Sequence, residues 1–413
     1  MKFIQFNLNT LLIFLMVGLA FTSCSKDDEN LDPELPQGNN LPITLDCSYF
    51  SDNPNAVLQD DPDAPVDYII TCETKVTDKL TINSGVVIAF GQNAGIKFTE
   101  AASFKMEGTA AKPILLTGTE NTKGFWKGMY SESSNTDNMM SYVTIDYAGG
   151  NEINHGIKAA LTIFRTNSHV TLDHCTFSNS LNTGMNVSVN FGEDEQSVFF
   201  TNCIFTNNDI PVVSKASNLR MFNATNSFSG NDNDYVLLEK GSLFGDATWA
   251  NLDVPYLLES SNTNGFKANR CVLTIEPGTD IMMTSRTKMV ITYESSLIMV
   301  GTADEPITIR GEQDVAGFWD SISIGSESAL NEIGHVNIKN AGQTTGDPNG
   351  AVQLGYSKYL NIHDVVFSDC FEYGISLNYL QAQPEFNLQY SNLSLENTPK
   401  LFSDWDGDEV VEP

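Results

Sequence analysis

From about residue 65 onward, apolar residues recur in short runs that are rich in Val, Ile, Phe and Tyr. Clusters of Gly, Asn, Ser and Asp separate these runs, as is typical of strands joined by turns. No segment carries a sustained apolar periodicity of 3.6 residues, so no amphipathic helix is predicted. The pattern predicts an all-β chain, arranged either as a sandwich or as a parallel solenoid. Clear strand-like runs are residues 86–90, 113–117, 142–147, 160–164 and 198–200.

An internal duplication organises this pattern. Residues 80–150 align with residues 273–343 at a constant offset of 193 without a gap, and 23 of the 71 aligned positions are identical. The motifs that return are Leu-Thr-Ile-x-x-Gly, Gly-Thr-Ala-x-x-Pro-Ile, Gly-Phe-Trp and Val-x-Ile-x-x-Ala-Gly. The chain after the N-terminal region is therefore built from two copies of one unit.

A shorter repeat distinguishes between the two all-β arrangements. Related phrases with a central Phe occur at residues 175–179, 203–207 and 226–230, which are spaced 28 and 23 residues apart. This spacing suits one circuit of a coil in which like residues stack on like, at about 4.8 Å per layer. Stacked Phe side chains would fill the interior, and stacked Asn side chains at the bends would form ladders. The repeat predicts a parallel β-helix.

The order of these motifs resembles bacterial right-handed parallel β-helix proteins of the pectate-lyase-like superfamily, over about residues 65–395. The resemblance implies a right-handed parallel β-helix built from a tandem duplication, with on the order of 12–15 coils. Such scaffolds serve polysaccharide lyases, glycosidases, adhesins and uncharacterised surface lipoproteins, so the resemblance specifies the fold and not the activity. The calcium-binding Asp group and Arg base of pectate lyases have no match here, nor have the Asp-Asp and Gly-His-Gly phrases of polygalacturonases.

The N-terminus is predicted to be an export signal. Lys2 precedes an apolar run over residues 11–21, which is shorter than the about 20 residues of a bilayer span. The stretch Phe-Thr-Ser-Cys that ends at Cys24 resembles a bacterial lipobox, which implies acylation of Cys24; ordinary cleavage that leaves a free thiol is the alternative. The following acidic residues resemble the export tag of Gram-negative surface lipoproteins. We therefore expect a lipid anchor in the outer membrane and exposure at the cell surface.

The predicted organisation is a signal peptide (1–23), an acidic flexible tether (24–42), an N-terminal cap (43–79), two β-helix halves (80–250 and 251–398) and an acidic C-terminal tail (399–413). In the cap, Cys47 and Cys72 flank an acidic, Pro-rich loop. A disulfide between them would close a loop of about 25 residues and contribute about 3 kcal/mol; two unrelated thiols are the alternative. Cys175 and Cys203 are predicted to stack as thiols, because parallel side chains align poorly for a disulfide.

Charge narrows the possible partners. The formal net charge is -30, which argues against sequence-independent binding of nucleic acid, because that requires rows of Lys and Arg. It also argues against a broad basic cleft for polyanionic glycans. No His stands in a recognisable nucleophile motif, and no Cys/His spacing indicates zinc. We therefore assign no catalytic residue. The five histidines are His155, His169, His174, His335 and His363.

Calcium is the one ion for which the sequence offers candidates, and no other cofactor is expected. Asp404, Asp406 and Asp408 alternate along the chain, as oxygen ligands of calcium loops do. The Gly and Glu of an EF-hand loop are missing from this segment. The Asn-Asp-Asn-Asp cluster at residues 231–234 is a second candidate. For both clusters, solvated acidic turns are the alternative.

Trp126 and Trp319 occupy equivalent places in the two copies. If exposed, the rings would offer a stacking platform for sugars; a structural role at a coil corner is the alternative that duplication favours. Together these features predict a surface lipoprotein with a β-helix rod that acts without catalysis as a glycan-binding, adhesive or structural module. The alternatives are a polysaccharide lyase or glycoside hydrolase, for which a pair of carboxylates would suffice, and a scaffold for other envelope proteins.

Overall fold

The computed structural model describes residues 40–188, 197–259, 265–342, 350–378 and 387–411. They belong to a compact unit of residues 36–413, whereas the unit of residues 1–35 lies outside the described part. The predicted all-β fold is confirmed, because the strands wind into a parallel β-solenoid of about 12 turns. No helix among the described residues is long and apolar enough to cross a membrane.

The strands of the first half alternate inward-facing apolar and outward-facing polar residues. In β5, for example, Leu80 and Ile82 are buried while Thr81 and Asn83 are partly exposed. Such alternation matches the two-residue period of a strand with one face on the core. The elements are β1 (Ile43–Leu45), α1 (Tyr49–Asp52), β2 (Ala56–Leu58), β3 (Tyr68–Ile70), β4 (Glu73–Val76), β5 (Lys79–Asn83), β6 (Val87–Phe90), β7 (Gly95–Phe98), β8 (Ser103–Glu107), β9 (Ile114–Gly118), β10 (Met129–Ser131), β11 (Met139–Ser141), β12 (Val143–Asp146), β13 (Ala159–Ile163), β14 (Val170–Asp173), β15 (Thr176–Ser178), β16 (Thr183–Val187), β17 (Val198–Thr201), β18 (Ile204–Thr206) and β19 (Ile210–Lys215).

The remaining part of the chain begins with a 3-10 helix and ends in longer strands. Its elements are the 3-10 helix (Ala216–Met221), β20 (Val236–Glu239), β21 (Gly241–Phe244), β22 (Ala247–Trp249), β23 (Tyr256–Glu259), β24 (Phe266–Asn269), β25 (Val272–Ile275), β26 (Asp280–Met283), β27 (Met289–Ile291), β28 (Ser296–Val300), β29 (Ile307–Gly311), β30 (Ile322–Ile324), β31 (Glu332–Lys339), β32 (Gly350–Leu354), β33 (Tyr359–Ser368), β34 (Tyr373–Leu377), β35 (Asn387–Glu396) and β36 (Lys400–Ser403). Ladders extend into both predicted flanking segments: β2 in the predicted cap pairs with β5, and β36 in the predicted tail pairs with β34.

Each turn of the first half contributes one strand to each of three parallel sheets. The first sheet contains β2, β5, β8, β11, β14 and β17; the second contains β1, β3, β6, β9, β12, β15 and β18; the third contains β4, β7, β10, β13, β16 and β19. The core lies between the sheets, where the inward side chains of all turns form one continuous hydrophobic cluster. Each turn therefore buries its apolar residues against the turns before and after it.

The second copy is stacked one sheet out of phase with the first. The strands match one for one, with β5, β6 and β7 equivalent to β25, β26 and β27. However, β26 joins the third sheet of the first half, through β23, β20 and β19, whereas its equivalent β6 lies in the second sheet. Residues 216–235, which include the 3-10 helix, accommodate this shift. Equivalent residues of the two copies therefore face different sides of the solenoid.

Three phenylalanines stack through successive turns, as the repeated phrase predicts. The rings of Phe177 and Phe205 are 4.8 Å apart and 6° from parallel, and those of Phe205 and Phe228 are 5.3 Å apart and 5° from parallel. The ladder between β15 and β18 places Phe177 directly opposite Phe205, so the register of the backbone aligns the rings. Offset stacking of this kind adds about 0.5–1.5 kcal/mol per pair to the burial of the rings.

An asparagine ladder runs beside the Phe stack. The Asn208 amide donates to the Phe177 carbonyl (2.9 Å), and one turn later the Asn231 amide donates to the Phe205 carbonyl (3.0 Å). The Asn231 side-chain oxygen in turn accepts the backbone N–H of Asn208 (3.0 Å). These bonds satisfy buried backbone groups at the bend. Asn231, predicted as a member of a calcium cluster, is thus engaged in holding the turns together.

We predict that Phe205→Ala lowers the free energy of unfolding by about 3–5 kcal/mol, because it removes a fully buried ring from the centre of the stack. Phe199→Ala is the matched control, since that ring is 39% exposed, and we expect a loss below about 1 kcal/mol. Denaturant unfolding followed by circular dichroism measures both. Equal losses for the two variants would contradict the stacked core.

Candidate functional site

Of the predicted lipid anchor and the predicted disulfide, the disulfide lies within the described residues and the anchor does not. Cys24 lies outside the described residues, so its acylation stays a prediction. Cys47 and Cys72 form a disulfide, with their Cα atoms 5.9 Å apart and a sequence separation of 25. The Thr74 hydroxyl also donates to the Cys47 carbonyl (3.2 Å), which ties the α1 segment to β4. Four other cysteines are free and buried, namely Cys175, Cys203, Cys271 and Cys370.

The two equivalent tryptophans lie in the core and not on an exposed platform for sugars. Trp126 and Trp319 are both fully buried. Each indole N–H donates to a backbone carbonyl at 2.7 Å, that of Asp146 for Trp126 and that of Lys339 for Trp319. The ring of Trp126 also stacks on Phe90 at 4.0 Å. No face of either ring is open to a sugar, so the duplication preserves a core contact.

In the acidic C-terminal segment, the residues predicted as a calcium site form a hydrogen-bonded turn. One carboxylate oxygen of Asp404 accepts the backbone N–H groups of Asp406 (3.0 Å) and Asp408 (2.8 Å). This carboxylate therefore closes a turn by binding the backbone N–H groups of Asp406 and Asp408, and their side chains take no part in these two bonds. Among the described residues, the carboxylates of Asp404, Asp406 and Asp408 are not gathered closely enough to share an ion. Alternation alone did not make the side chains converge.

The five histidines have different surroundings. The ring of His155 stacks on Phe164 (4.0 Å between centroids), and the ring of His174 stacks on Tyr142 (4.5 Å). His169 is partly buried, and this burial lowers the pKa of its imidazole. His335 and His363, in contrast, lie within reach of each other on successive turns of the second half.

A cluster of His335, His363 and Asp364 forms at the bend between two faces of the solenoid; we call it the histidine cluster. Nδ1 of His363 is 2.8 Å from a carboxylate oxygen of Asp364, and Nε2 of His335 is 3.8 Å from the same oxygen. One ligand atom from each of the three residues lies within 4.8 Å of the others, and within the described ranges no other such group of three His, Cys, Asp or Glu residues exists.

Carboxylates on two sides of the His363 ring stabilise its protonated form. The hydrogen bond to Asp364 is the main cause that raises the pKa of His363, burial opposes it, and the bond to Glu332 (3.1 Å) adds to the rise. The same contact with His363 lowers the pKa of Asp364. Without a bound ion, this part of the cluster therefore favours an imidazolium between two carboxylates.

A groove of about 590 Å³ opens where the two copies join; we call it the junction groove. Arg220 of the 3-10 helix and the residues just after that helix line the groove together with residues in and next to β22 and β25. Arg220 is held by bonds to the backbone carbonyls of Phe244 and Asp246. The polar side chains that line the groove are Arg220, Asn223, Asp246, Thr248, Thr274 and Glu276.

The phase shift between the copies explains why a groove lies there. Within each half, the turns stack without interruption, so the sides of the solenoid are closed by the ladders. At residues 216–235 the sheets of the first copy do not continue into the equivalent sheets of the second copy. The side wall of the solenoid is therefore interrupted there. Asp246 accepts the backbone N–H of Val272 (2.7 Å), and Glu276 accepts that of Asn251 (3.0 Å), so both carboxylates also stabilise the chain around the groove.

One signal in the sequence could have revealed the histidine cluster. His335 and His363 are 28 residues apart, which equals the spacing of the Phe phrases at residues 175–179 and 203–207. Residues one turn apart lie near each other in a solenoid. Here His363 pairs with Gly334, the residue before His335, so the two rings are neighbours at 6.0 Å between centroids without being stacked. The junction groove carries no comparable signal, because it depends on how the copies are stacked.

Comparisons of this chain with protein-family models, with curated proteins and with solved structures find no match.

We predict that in chelator-treated protein the imidazole of His363 titrates with a pKa above 6.5, and that Asp364→Asn lowers this pKa more than Glu332→Gln does. A raised pKa in the folded state means that protonated His363 stabilises the fold below the unfolded pKa. This contribution should disappear as the pH rises through the folded pKa. NMR titration of the histidine ring signals measures the pKa, and no change in Asp364→Asn would contradict the assignment.

Proposed function

We propose that this protein is a lipid-anchored rod at the bacterial cell surface that binds a neutral polysaccharide chain in the junction groove. We also propose that it belongs with the right-handed parallel β-helix proteins of the pectate-lyase-like superfamily that its motifs resemble. The observation that carries the binding proposal is the groove itself, an open site of about 590 Å³ lined by side chains that donate and accept hydrogen bonds. Ligand sites are typically about 300–1,000 Å³.

The chemistry of the lining suits sugar hydroxyls. Thr248 and Thr274, which carry hydroxyl groups, line the groove together with the carboxylate residues Asp246 and Glu276. Hydroxyl groups both donate and accept, and carboxylates accept, so such a mixture can pair with the hydroxyls of a pyranose ring. Ala247 and Ala250 add small apolar patches to the lining. The net charge of -30 disfavours a polyanionic chain, so we specify a neutral glycan.

The anchor follows from the N-terminal sequence. An apolar run too short for a bilayer span, followed by a lipobox-like stretch ending at Cys24, favours a lipoprotein over a transmembrane protein. The polar, Pro-containing segment that follows Cys24, to residue 42, has the composition of a tether. A groove in the middle of such a rod would be accessible to extended polymers outside the cell.

A second candidate function is glycoside hydrolysis or lyase chemistry in the same groove. The observation that favours it is the presence of Asp246, Glu276 and Arg220 in one lining. Two carboxylates that flank a glycosidic bond suffice for hydrolysis. Release of reducing sugar, or of unsaturated product, by wild-type protein and its loss in Glu276→Gln would support this alternative over binding without catalysis.

We predict that Thr274→Trp weakens glycan binding about tenfold or more, equal to a loss of about 1.4 kcal/mol, because the indole fills the groove. Thr81→Trp is the matched control. Thr81 occupies the equivalent position of the first copy, is exposed to a similar extent, and lies outside the groove lining. Untagged protein that begins at residue 25 is screened on a glycan array, and hits are measured by calorimetry. Absence of any polysaccharide ligand, or equal weakening by both variants, would overturn the proposal.

We predict that Cys24→Ser abolishes incorporation of labelled palmitate and shifts the protein from the membrane fraction to the soluble fraction. A serine cannot form the thioether to which the lipid is attached. Cys271→Ser, which removes a buried free thiol of the solenoid, is the control and should leave labelling unchanged. Labelling that persists in Cys24→Ser would contradict the lipobox assignment.

A further inference from the structure

We propose that the histidine cluster is a binding site for a divalent transition-metal ion of the zinc type. The ligand atoms are Nε2 of His335, Nδ1 of His363 and one carboxylate oxygen of Asp364. The carboxylate oxygen lies 2.8 Å from Nδ1 of His363 and 3.8 Å from Nε2 of His335, and one ligand atom from each of the three residues lies within 4.8 Å of the others. Ligands of a tetrahedral zinc ion are about 3.3 Å apart, given Zn–N distances of about 2.0–2.1 Å. Small rotations of the side chains would therefore bring the three atoms onto one ion. This inference is independent of glycan binding.

The second layer of contacts has the arrangement that supports metal ligands. Nε2 of His363, on the far side of the ring from Asp364, lies 3.1 Å from a carboxylate oxygen of Glu332. The other oxygen of Asp364 accepts a hydrogen bond from the Asn392 amide (3.1 Å). Histidines that bind metals usually donate their other ring N–H to a carboxylate or carbonyl, and carboxylate ligands are themselves hydrogen-bonded. Both arrangements are present here without an ion.

Backbone geometry orients the ligands before any ion binds. His335, Asp364 and Asn392 have left-handed backbone conformations, with φ of 49°, 54° and 51°, on three successive turns. The backbone ladder pairs Gly334 with His363, stops at the bend, and resumes on its far side. His335, Asp364 and Asn392 therefore stack on one another at one corner. A non-Gly residue in this region costs roughly 1 kcal/mol, and here the flanking ladders enforce it. The corner therefore fixes the directions of the ligands.

A glycine makes room for the central ligand. A Cβ atom added to Gly334 would lie 2.5 Å from the His363 ring, closer than any stable contact. The imidazole of His363 thus lies directly over the backbone of the preceding turn. In the first copy the equivalent position is Ser141, so the space for this ring exists in the second copy alone.

The first copy provides an internal comparison that lacks the site. The equivalents of His335 and Glu332 are Tyr142 and Met139, at the offset of 193. The left-handed corner of the next turn is occupied by His174, which contacts Asp173 at 3.0 Å and stacks on Tyr142. One histidine and one carboxylate remain, but the second histidine and the supporting carboxylate are absent. The backbone corner therefore exists without metal ligands, and metal ligation is an addition made in the second copy.

Exposure of the cluster suits an ion that exchanges with solvent. The side chains of His335, His363 and Asp364 are 35%, 23% and 34% exposed. Three protein ligands leave one tetrahedral position, which water or a ligand atom would occupy. Two neutral imidazoles and one carboxylate favour zinc and related ions over calcium, which prefers oxygen ligands alone.

The test is calorimetric titration of untagged, chelator-treated protein with ZnCl₂ at pH 7.5, with CaCl₂ in a parallel titration. We expect one zinc ion per chain and no comparable calcium binding. His335→Tyr is the key variant, because Tyr is already accommodated at the equivalent corner of the first copy. Loss of an outer-layer partner typically weakens metal binding roughly 10–100-fold, and we expect Glu332→Gln to weaken zinc binding within that range. His335→Tyr removes a ligand and should weaken zinc binding by more than that.

Two controls separate loss of the site from loss of the fold. Circular dichroism and the unfolding midpoint of His335→Tyr without metal should match those of wild type. His174→Ala, in the first copy, should bind zinc like wild type. Substitution of cobalt should give the visible absorption of a low-symmetry site with nitrogen ligands, and His335→Tyr should lose it. Absence of zinc binding by wild type, or equal zinc affinity in folded His335→Tyr, would overturn the proposal.

Discussion

The structure depends on one constraint, which is that each turn pairs in parallel register with the turns on either side. A turn of this chain cannot bury its apolar face by itself, so the ladder that aligns neighbouring backbones also aligns the side chains that fill the core. The stack of Phe177, Phe205 and Phe228 and the ladder of Asn208 and Asn231 are two results of the same alignment. Stability is thereby distributed over many similar contacts between neighbours.

The same parallel register brings side chains from successive turns together at the corners of the solenoid. Residues about 28 positions apart become neighbours, so a histidine on one turn can meet a histidine and an aspartate on the next. The left-handed conformations of His335, Asp364 and Asn392 recur because the corner recurs, and the first copy has the same corner with different side chains. Duplication thus supplied a backbone frame twice, and the residues at one corner diverged while the frame was retained.

At the junction between the copies, the first and second sheets of the first half end, while the third sheet continues through β19, β20, β23 and β26. If the second copy continued the first in phase, the three sheets would extend without a break. The shift by one sheet instead leaves a groove whose walls come from non-equivalent parts of the duplicated unit. Polar residues line it, and the predominance of acidic over basic residues in the chain favours uncharged partners.

The sequence by itself determined the solenoid, because strand alternation, the duplication and the Phe phrases all repeat along the chain and stacking converts repetition into contact. It did not reveal that Trp126 and Trp319 are buried, or that Asp404 closes a turn, since a residue type in a pattern does not specify which way its side chain points. The histidine cluster required knowledge of which residues share a corner, and the junction groove required the phase between the copies. Both depend on the number of residues in each turn and on how the turns are stacked, and these quantities are decided only when the whole chain has packed.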